Sequence, residues 1–225
     1  MSNLQKAIFQ LKEDMIEMTR LVRAQVARGK EAFVNGDLDL ALEIKKIENR
    51  VNAMELHIDQ QCENIIALYN PVAIDLRFVM AMMKSNTDLE RMADNVEGIA
   101  NYILGIGGKF DEKIVEAFRV VEEYDICLSM FDDAIEAFIR QNSKQARKLF
   151  RKDDLLDEIN RTATGIAPDM VRKHPEQAEQ ILAAISIVRK LERIGDQVTN
   201  LAEEIIFYLD AKVLKHTKPG KKERN

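Results

Sequence analysis

The stretch Leu89-Glu90-Arg91-Met92-Ala93-Asp94 returns 102 residues later as Leu191-Glu192-Arg193-Ile194-Gly195-Asp196, with Val96 matched by Val198 and Ala100 by Ala202. A chain that repeats at this period must build two copies of one unit. In each copy Glu and Asp stand four residues apart, which on a helix stacks both carboxylates on one face. Like charges at that spacing cost roughly 0.2–0.5 kcal/mol per pair on an isolated helix. The same repulsive pair in both halves therefore points to a cation between the two carboxylates.

The unit is helical. Leu4, Ile8, Leu11, Met15, Met18 and Val22 step by four and three in turn, one continuous seam of a bundle helix that Asn35-Gly36 ends. Asp37 offers the N-cap of a second helix, with its seam at Ile44, Ile47, Val51, Met54, Ile58 and Ile65. Asn70-Pro71 is read as the cap and first turn of a third helix, which carries Val79, Met82, Leu89, Ala93, Val96, Ala100 and Ile103 and stops at Gly105, Gly107 and Gly108. The second half follows the same plan. A fourth helix runs from Asp111 to about Arg140, and a fifth from Asn142-Ser143 to about Lys173 with a kink or break at Gly165 and Pro168. After His174-Pro175 a sixth carries Val188, Leu191, Val198, Ala202, Ile205 and Leu209. Rods of about 30 residues, near 45 Å long, joined by short turns stack antiparallel. The expected fold is all-α: two tandem, repeat-related antiparallel three-helix bundles at 1–106 and 107–214, followed by a basic disordered tail at 215–225.

The acidic pairs have company on the preceding helices. Glu48, Asn52, Glu55 and Asp59 each follow a seam residue, which places them along a solvent-reachable edge. Phe33 and Ala41 find counterparts in Phe138 and Ala146, so Asp153 and Asp157 stand where Glu48 and Asn52 do in the first half. In an antiparallel hairpin turning between residues 70 and 71, Glu48 comes level with residue 93 and Asn52 with residue 89. The turn between 174 and 175 sets Asp153 level with Asp196 and Asp157 with Glu192. Oxygen ligands from neighbouring helices thus reach one height in both halves. Such clusters favour hard cations, Mg²⁺, Mn²⁺, Ca²⁺ or ferric iron.

Other chemistries are disfavoured. No Glu-x-x-His pair of the di-iron oxidases occurs, and His57, His174 and His216 are scattered. Cys62 and Cys127 lie far apart among apolar neighbours and read as buried thiols. A net charge of −5 argues against nucleic acid. Neither a targeting peptide nor a membrane-length apolar run is apparent, so the expected location is the cytoplasm, with peripheral membrane association at most.

These residues resemble the PhoU family. Asn70-Pro71-Val72-Ala73-Ile74-Asp75-Leu76-Arg77 is similar to the family's Gln-Pro-x-Ala-x-Asp-Leu-Arg turn, and Glu90 to Asp94 and Glu192 to Asp196 match its Glu-Arg-x-x-Asp motifs. The resemblance implies two repeated three-helix bundles and a role without catalysis. That role is repression of phosphate-starvation signalling through a phosphate ABC transporter and a sensor histidine kinase, commonly as a homodimer. It also implies a metal site at Glu90, Asp94, Glu192 and Asp196, joined by Asp153 and Asp157, with Glu48, Asn52 and Asn200 completing the expected ligand set. The ion is hard, divalent or trivalent; iron, manganese, magnesium and zinc remain open. Glu48 and Asn52 stand where two aspartates are common, and Gly98 where the second half keeps Asn200, which makes the second site the stronger. The alternatives are a metal-dependent hydrolase or redox enzyme and a metal-free helical adaptor.

Overall fold

The computed structural model describes residues 1–214; the basic tail expected at 215–225 lies outside the described residues. Among them the helices are, in order, α1 (Asn3–Asn35), α2 (Leu38–Tyr69), α3 (Ala73–Ile106), α4 (Glu112–Ala117), α5 (Val120–Ile139), α6 (Ser143–Ala146), α7 (Leu149–Lys173) and α8 (Ala178–Asp210). A single 3-10 turn, Pro175–Gln177, precedes α8, and no strand occurs among the described residues.

Local chemistry sets most boundaries. Ser2 closes a capping box on α1, its Oγ accepting from the Gln5 N–H at 3.2 Å while Gln5 Oε1 accepts from the Ser2 N–H at 2.8 Å. Gly36 ends α1 in the left-handed conformation (φ 67°), and a Cβ there would stand 2.6 Å from the Lys109 nitrogen. Both the backbone angle and the passing α3–α4 connection therefore require glycine. Asp37, Asp111 and Asn142 accept hydrogen bonds from the first turns of α2, α4 and α6.

Four boundaries differ from the sequence reading. Asn70 is the left-handed C-cap of α2 (φ 47°), Pro71 lies outside any helix, and α3 starts only at Ala73. Gly105 stays helical, and Gly107 supplies the cap of α3. The fourth helix is broken at Phe118-Arg119, where Arg119 takes φ 53°. On one straight helix Ile114 and Phe118 would lie roughly a third of a turn away from Val120, Tyr124 and Cys127, yet all five are buried. The break rotates the second segment so that both apolar faces point inward. The fifth helix breaks at Arg147-Lys148, and α7 then runs unbroken through Gly165 and Pro168. Pro168 and Thr164 are both exposed, so the carbonyl deprived of its donor lies on the solvent face.

Within each half the long helices pack antiparallel, and the halves meet most extensively along α3 and α8. Lys84 pairs with Glu204 at 3.2 Å, Asn200 donates to Asp88 at 3.4 Å and Asn95 donates to Gln197 at 3.4 Å, a register that only antiparallel rods give. Arg23 forks onto Asp132 with both bonds at 2.9 Å, tying α1 to α5. Aromatic rings pin both ends of this seam. Phe33 lies 4.7 Å from Phe110 at one end, and Phe78 meets Tyr208 edge-on at 5.3 Å at the other. The two repeats consequently share one continuous apolar core. Cys62 and Cys127 are buried free thiols within it.

Candidate metal centre

In the first bundle the phase of α2 differs from the expected seam. Its buried positions are Ala41, Ile44, Glu48, Val51, Ile58, Cys62 and Ile65, with Ile47 and Met54 only half-buried. Glu48 thus occupies the seam and does not sit on a wet edge; it is 7 % exposed and both its oxygens lack a hydrogen-bond partner. Burial foremost, then Asp94, Glu97 and Glu90, push its pKa up to about 7. Gln25, buried on α1, draws it back slightly, although the two side chains do not meet with hydrogen-bond geometry. Glu55 is raised by burial, Asp59 and Asp94, and Glu90 by burial, Asp94 and Glu55. The structure therefore gathers Glu48, Glu55, Glu90 and Asp94, with Glu97 beside them. Asn52 is exposed and makes no hydrogen bond among the described residues; Glu55, one residue beyond Met54, takes its place. Asn86, fully buried on α3, anchors this region by donating to the Glu55 carbonyl at 2.9 Å and to Asp59 Oδ1 at 2.8 Å.

The second bundle matches the hairpin register more closely. Asp153 is pushed to about 7 by burial, then by Asp196 and Asp157, with Thr199 drawing it down and Asp154 adding a smaller rise. Asp196 is raised by burial and Asp157; Glu192 is raised by burial, Asp196 and Asp157, and lowered by Asn160 and Arg193. All four expected carboxylates thus feel one another across α7 and α8. Asn200 does not join them, since its amide turns to Asp88 on α3. Gly195 makes the approach of the helices close: a Cβ there would collide with Leu156 Cδ1 and stand 3.7 Å from Asp153 Oδ1. The first half has Ala93 at the equivalent place.

One acid escaped the sequence reading. Glu123 on α5 is fully buried with both oxygens unpartnered, and burial followed by Glu192 pushes its pKa to about 10, with Arg119 opposing. One turn on, Cys127 donates its thiol to the Leu191 carbonyl at 3.3 Å, so this stretch of α5 lies against the start of the second acidic motif. The signal was legible in the spacing of Val120, Glu123, Cys127 and Met130, which places an acid on an apolar seam.

The donor set fits a hard cation in its chemistry. Oxygen ligands cluster twice, no Lys or Arg salt bridge reaches them among the described residues, and each site has a buried acid whose oxygens are orphaned. The oxygens have not closed on a common point, however: among the described residues no three His, Cys, Asp or Glu side chains already form a metal-holding group. Asp94, Asp157 and Asp196 are the exposed members of the two groups.

A family model described as the PhoU domain matches residues 15–103 and 120–205, once in each bundle. A PhoU homolog of the phosphate-specific transport system accessory proteins from Aquifex aeolicus is 30% identical over 211 residues, covering 94% of this chain and 95% of the relative. A Burkholderia homolog with the same description is 30% identical over 208 residues, covering 91% of this chain and 88% of the relative. The crystal structure of PhoU from Pseudomonas aeruginosa superposes with a TM-score of 0.86 at 27% identity, over 93% of this chain and 100% of that one.

Proposed function

Because this chain belongs to the PhoU family, we propose that it is a non-catalytic regulator of phosphate uptake and phosphate-starvation signalling. It acts in the cytoplasm, as a homodimer, through contacts with a phosphate ABC transporter and a sensor histidine kinase. The observation that carries this reading is the end-to-end match of both bundles to relatives named as accessory proteins of phosphate transport. Deleting the gene tests it. Phosphate-starvation genes should then be expressed in phosphate-replete medium and be silenced again by the restored gene; normal repression in the deletion strain would refute it.

The acidic clusters serve this role as metal sites. Asp153, Asp157, Glu192 and Asp196 would hold a hard ion in the second bundle, and Glu48, Glu55, Glu90 and Asp94 in the first. Bound there, the ion would supply positive charge to carboxylates of which Glu48, Glu55, Glu90, Asp153, Glu192 and Asp196 have their pKa raised by burial first and by neighbouring acids second. The side chains supply oxygen ligands from two helices each and so join α2 to α3 and α7 to α8. Elemental analysis of protein purified without chelator, with thermal melts on titration of Mn²⁺ or Fe³⁺, is the test. Bound metal and a concentration-dependent rise in Tm, both reduced in Glu192→Ala/Asp196→Ala, are expected. Absence of both would leave the regulator without its metal.

A metal-free helical adaptor is the second reading, favoured by carboxylates that have not converged. Under it, neutralising all four motif carboxylates leaves partner binding intact and raises stability by removing repulsion.

A further inference from the structure

Glu123 stands on α5, a helix outside the acidic stripe that α7 and α8 share. Its side chain is fully buried and both carboxylate oxygens lack a hydrogen-bond partner. A carboxyl in that position is costly, and such groups persist where they are paired or coordinate a metal. Asn160 on α7 supplies a second orphan, since its Oδ1 is likewise buried without a partner.

Both residues lie at the height of the Glu192 carboxylate. Because α5 and α8 each run antiparallel to α7, they run parallel to each other. The Cys127 thiol bonds to the Leu191 carbonyl, so Glu123, one turn earlier on the same face of α5, lies beside the turn of α8 that precedes Leu191. The connection that sets Asp157 level with Glu192 sets Asn160 level with residue 189. A long side chain on a helix leans over the turn N-terminal to its own Cα, which carries the Glu192 carboxylate to this same height. Of the neighbouring charges Glu192 acts most strongly on Glu123, while Asn160 favours the charged form of Glu192. Arg119, the opposing charge, is engaged elsewhere: it forks onto Glu122 with both bonds at 2.7 Å and lies 3.6 Å from Glu158.

The two halves differ at this level. In the alignment that pairs Phe33 with Phe138, Met18 stands opposite Glu123 and Glu55 opposite Asn160. Met18 is also fully buried, so the position is interior in both bundles and carries an acid only in the second. The first bundle has its two acids here, Glu55 and Glu90, half-buried on α2 and α3; the second keeps Glu192 and moves the other carboxylate inside.

On the reading that the second cluster holds a hard ion, we propose that Glu123 and Asn160 are inner ligands of an ion bound at Glu192, closing its oxygen shell from the buried side. The second site then draws on α5, α7 and α8, and the added negative ligand favours an ion of higher charge. The probe is Tb³⁺, a hard trivalent ion whose luminescence lifetimes in H₂O and D₂O count its bound waters. It is titrated into the full chain carrying Glu90→Gln/Asp94→Asn, which leaves the acidic pair of the second bundle intact. Adding Glu123→Gln, which keeps the shape of the side chain, should weaken binding by about tenfold or more and add about one water to the bound ion. Asn160→Ala, on a different helix and half-buried, should lose affinity and admit a water in the same way. Equal affinity and equal water count with and without Glu123→Gln would overturn the proposal and leave the metal site standing. A weaker site with an unchanged water count would make Glu123 a neighbour of the ion and not a ligand, and would also overturn it. No Tb³⁺ held in the second bundle even with Glu123 present would overturn both the proposal and the metal reading.

Discussion

Glu123 offers the sharpest test of the electrostatics. Its folded pKa of about 10 against an ordinary 4.5 means that the native chain keeps the proton while the unfolded chain sheds it. Between pH 5 and 8 the native state therefore holds about one more proton than the unfolded state at this group. Stability must fall with rising pH, by about 1.4 kcal/mol per unit. The contribution is fully present below the unfolded pKa and is lost progressively above it, reaching about 3 kcal/mol at neutral pH. That is a substantial share of a typical total of about 5–15 kcal/mol. Glu123→Gln keeps the shape and removes the titration. Urea unfolding of metal-free protein in EDTA at intervals from pH 5 to pH 8 measures both chains. The variant should gain on the wild type by about 1.4 kcal/mol for each pH unit, close to 4 kcal/mol across the range. Glu48 and Asp153, each pushed to about 7, bend both curves and largely cancel in the difference. Parallel curves would refute the claim that Glu123 is held as a buried neutral acid.

Two further changes probe packing. Gly195→Ala drives a methyl into Leu156 in the fully buried contact of α7 with α8; overpacking of about 1–3 kcal/mol should outweigh the helix-propensity gain of about 1 kcal/mol. Gly105→Ala, with nothing within 4 Å of the new Cβ, should instead be neutral or stabilising in the same urea titration. Asn86→Ala removes the donor that ties Asp59 and the Glu55 carbonyl to α3. A loss of about 1–3 kcal/mol is expected, with faster amide exchange around residues 55–59 as the accompanying readout.

On α2 periodicity alone does not fix the buried face. Ile44, Val51 and Ile58 belong to two possible seams, one completed by Ile47 and Met54 and the other by Glu48 and Glu55. Apolarity alone selects the first. The structure buries Glu48 ahead of Ile47 and leaves Met54 and Glu55 both half-buried, because α1 and α3 together cover a wider arc than one apolar stripe, and Glu48 falls inside it with Gln25. The same effect buries Glu123, which α8 covers. In the second bundle the helix register was enough to foresee the grouping of Asp153, Asp157, Glu192 and Asp196, since each pair is fixed by its own helix and a short turn sets the level. Asn200 turns to Asp88 of the other bundle, a partner that the register within one hairpin does not contain.

The sequence by itself determined the helical class, the doubling of the unit, the heights at which acids on neighbouring rods meet, and the family. All of these follow from periodicity along one helix or from counting out from a turn. Only the tertiary structure decided that α3 and α8 fuse the halves into one core, that the fourth and fifth helices break to re-aim their apolar faces, and that Glu48 and Glu123 go dry. Periodicity says which side of a rod is apolar; it is silent on how far the next rods reach around it. Whether a carboxylate at the margin meets water or hydrocarbon depends on that reach.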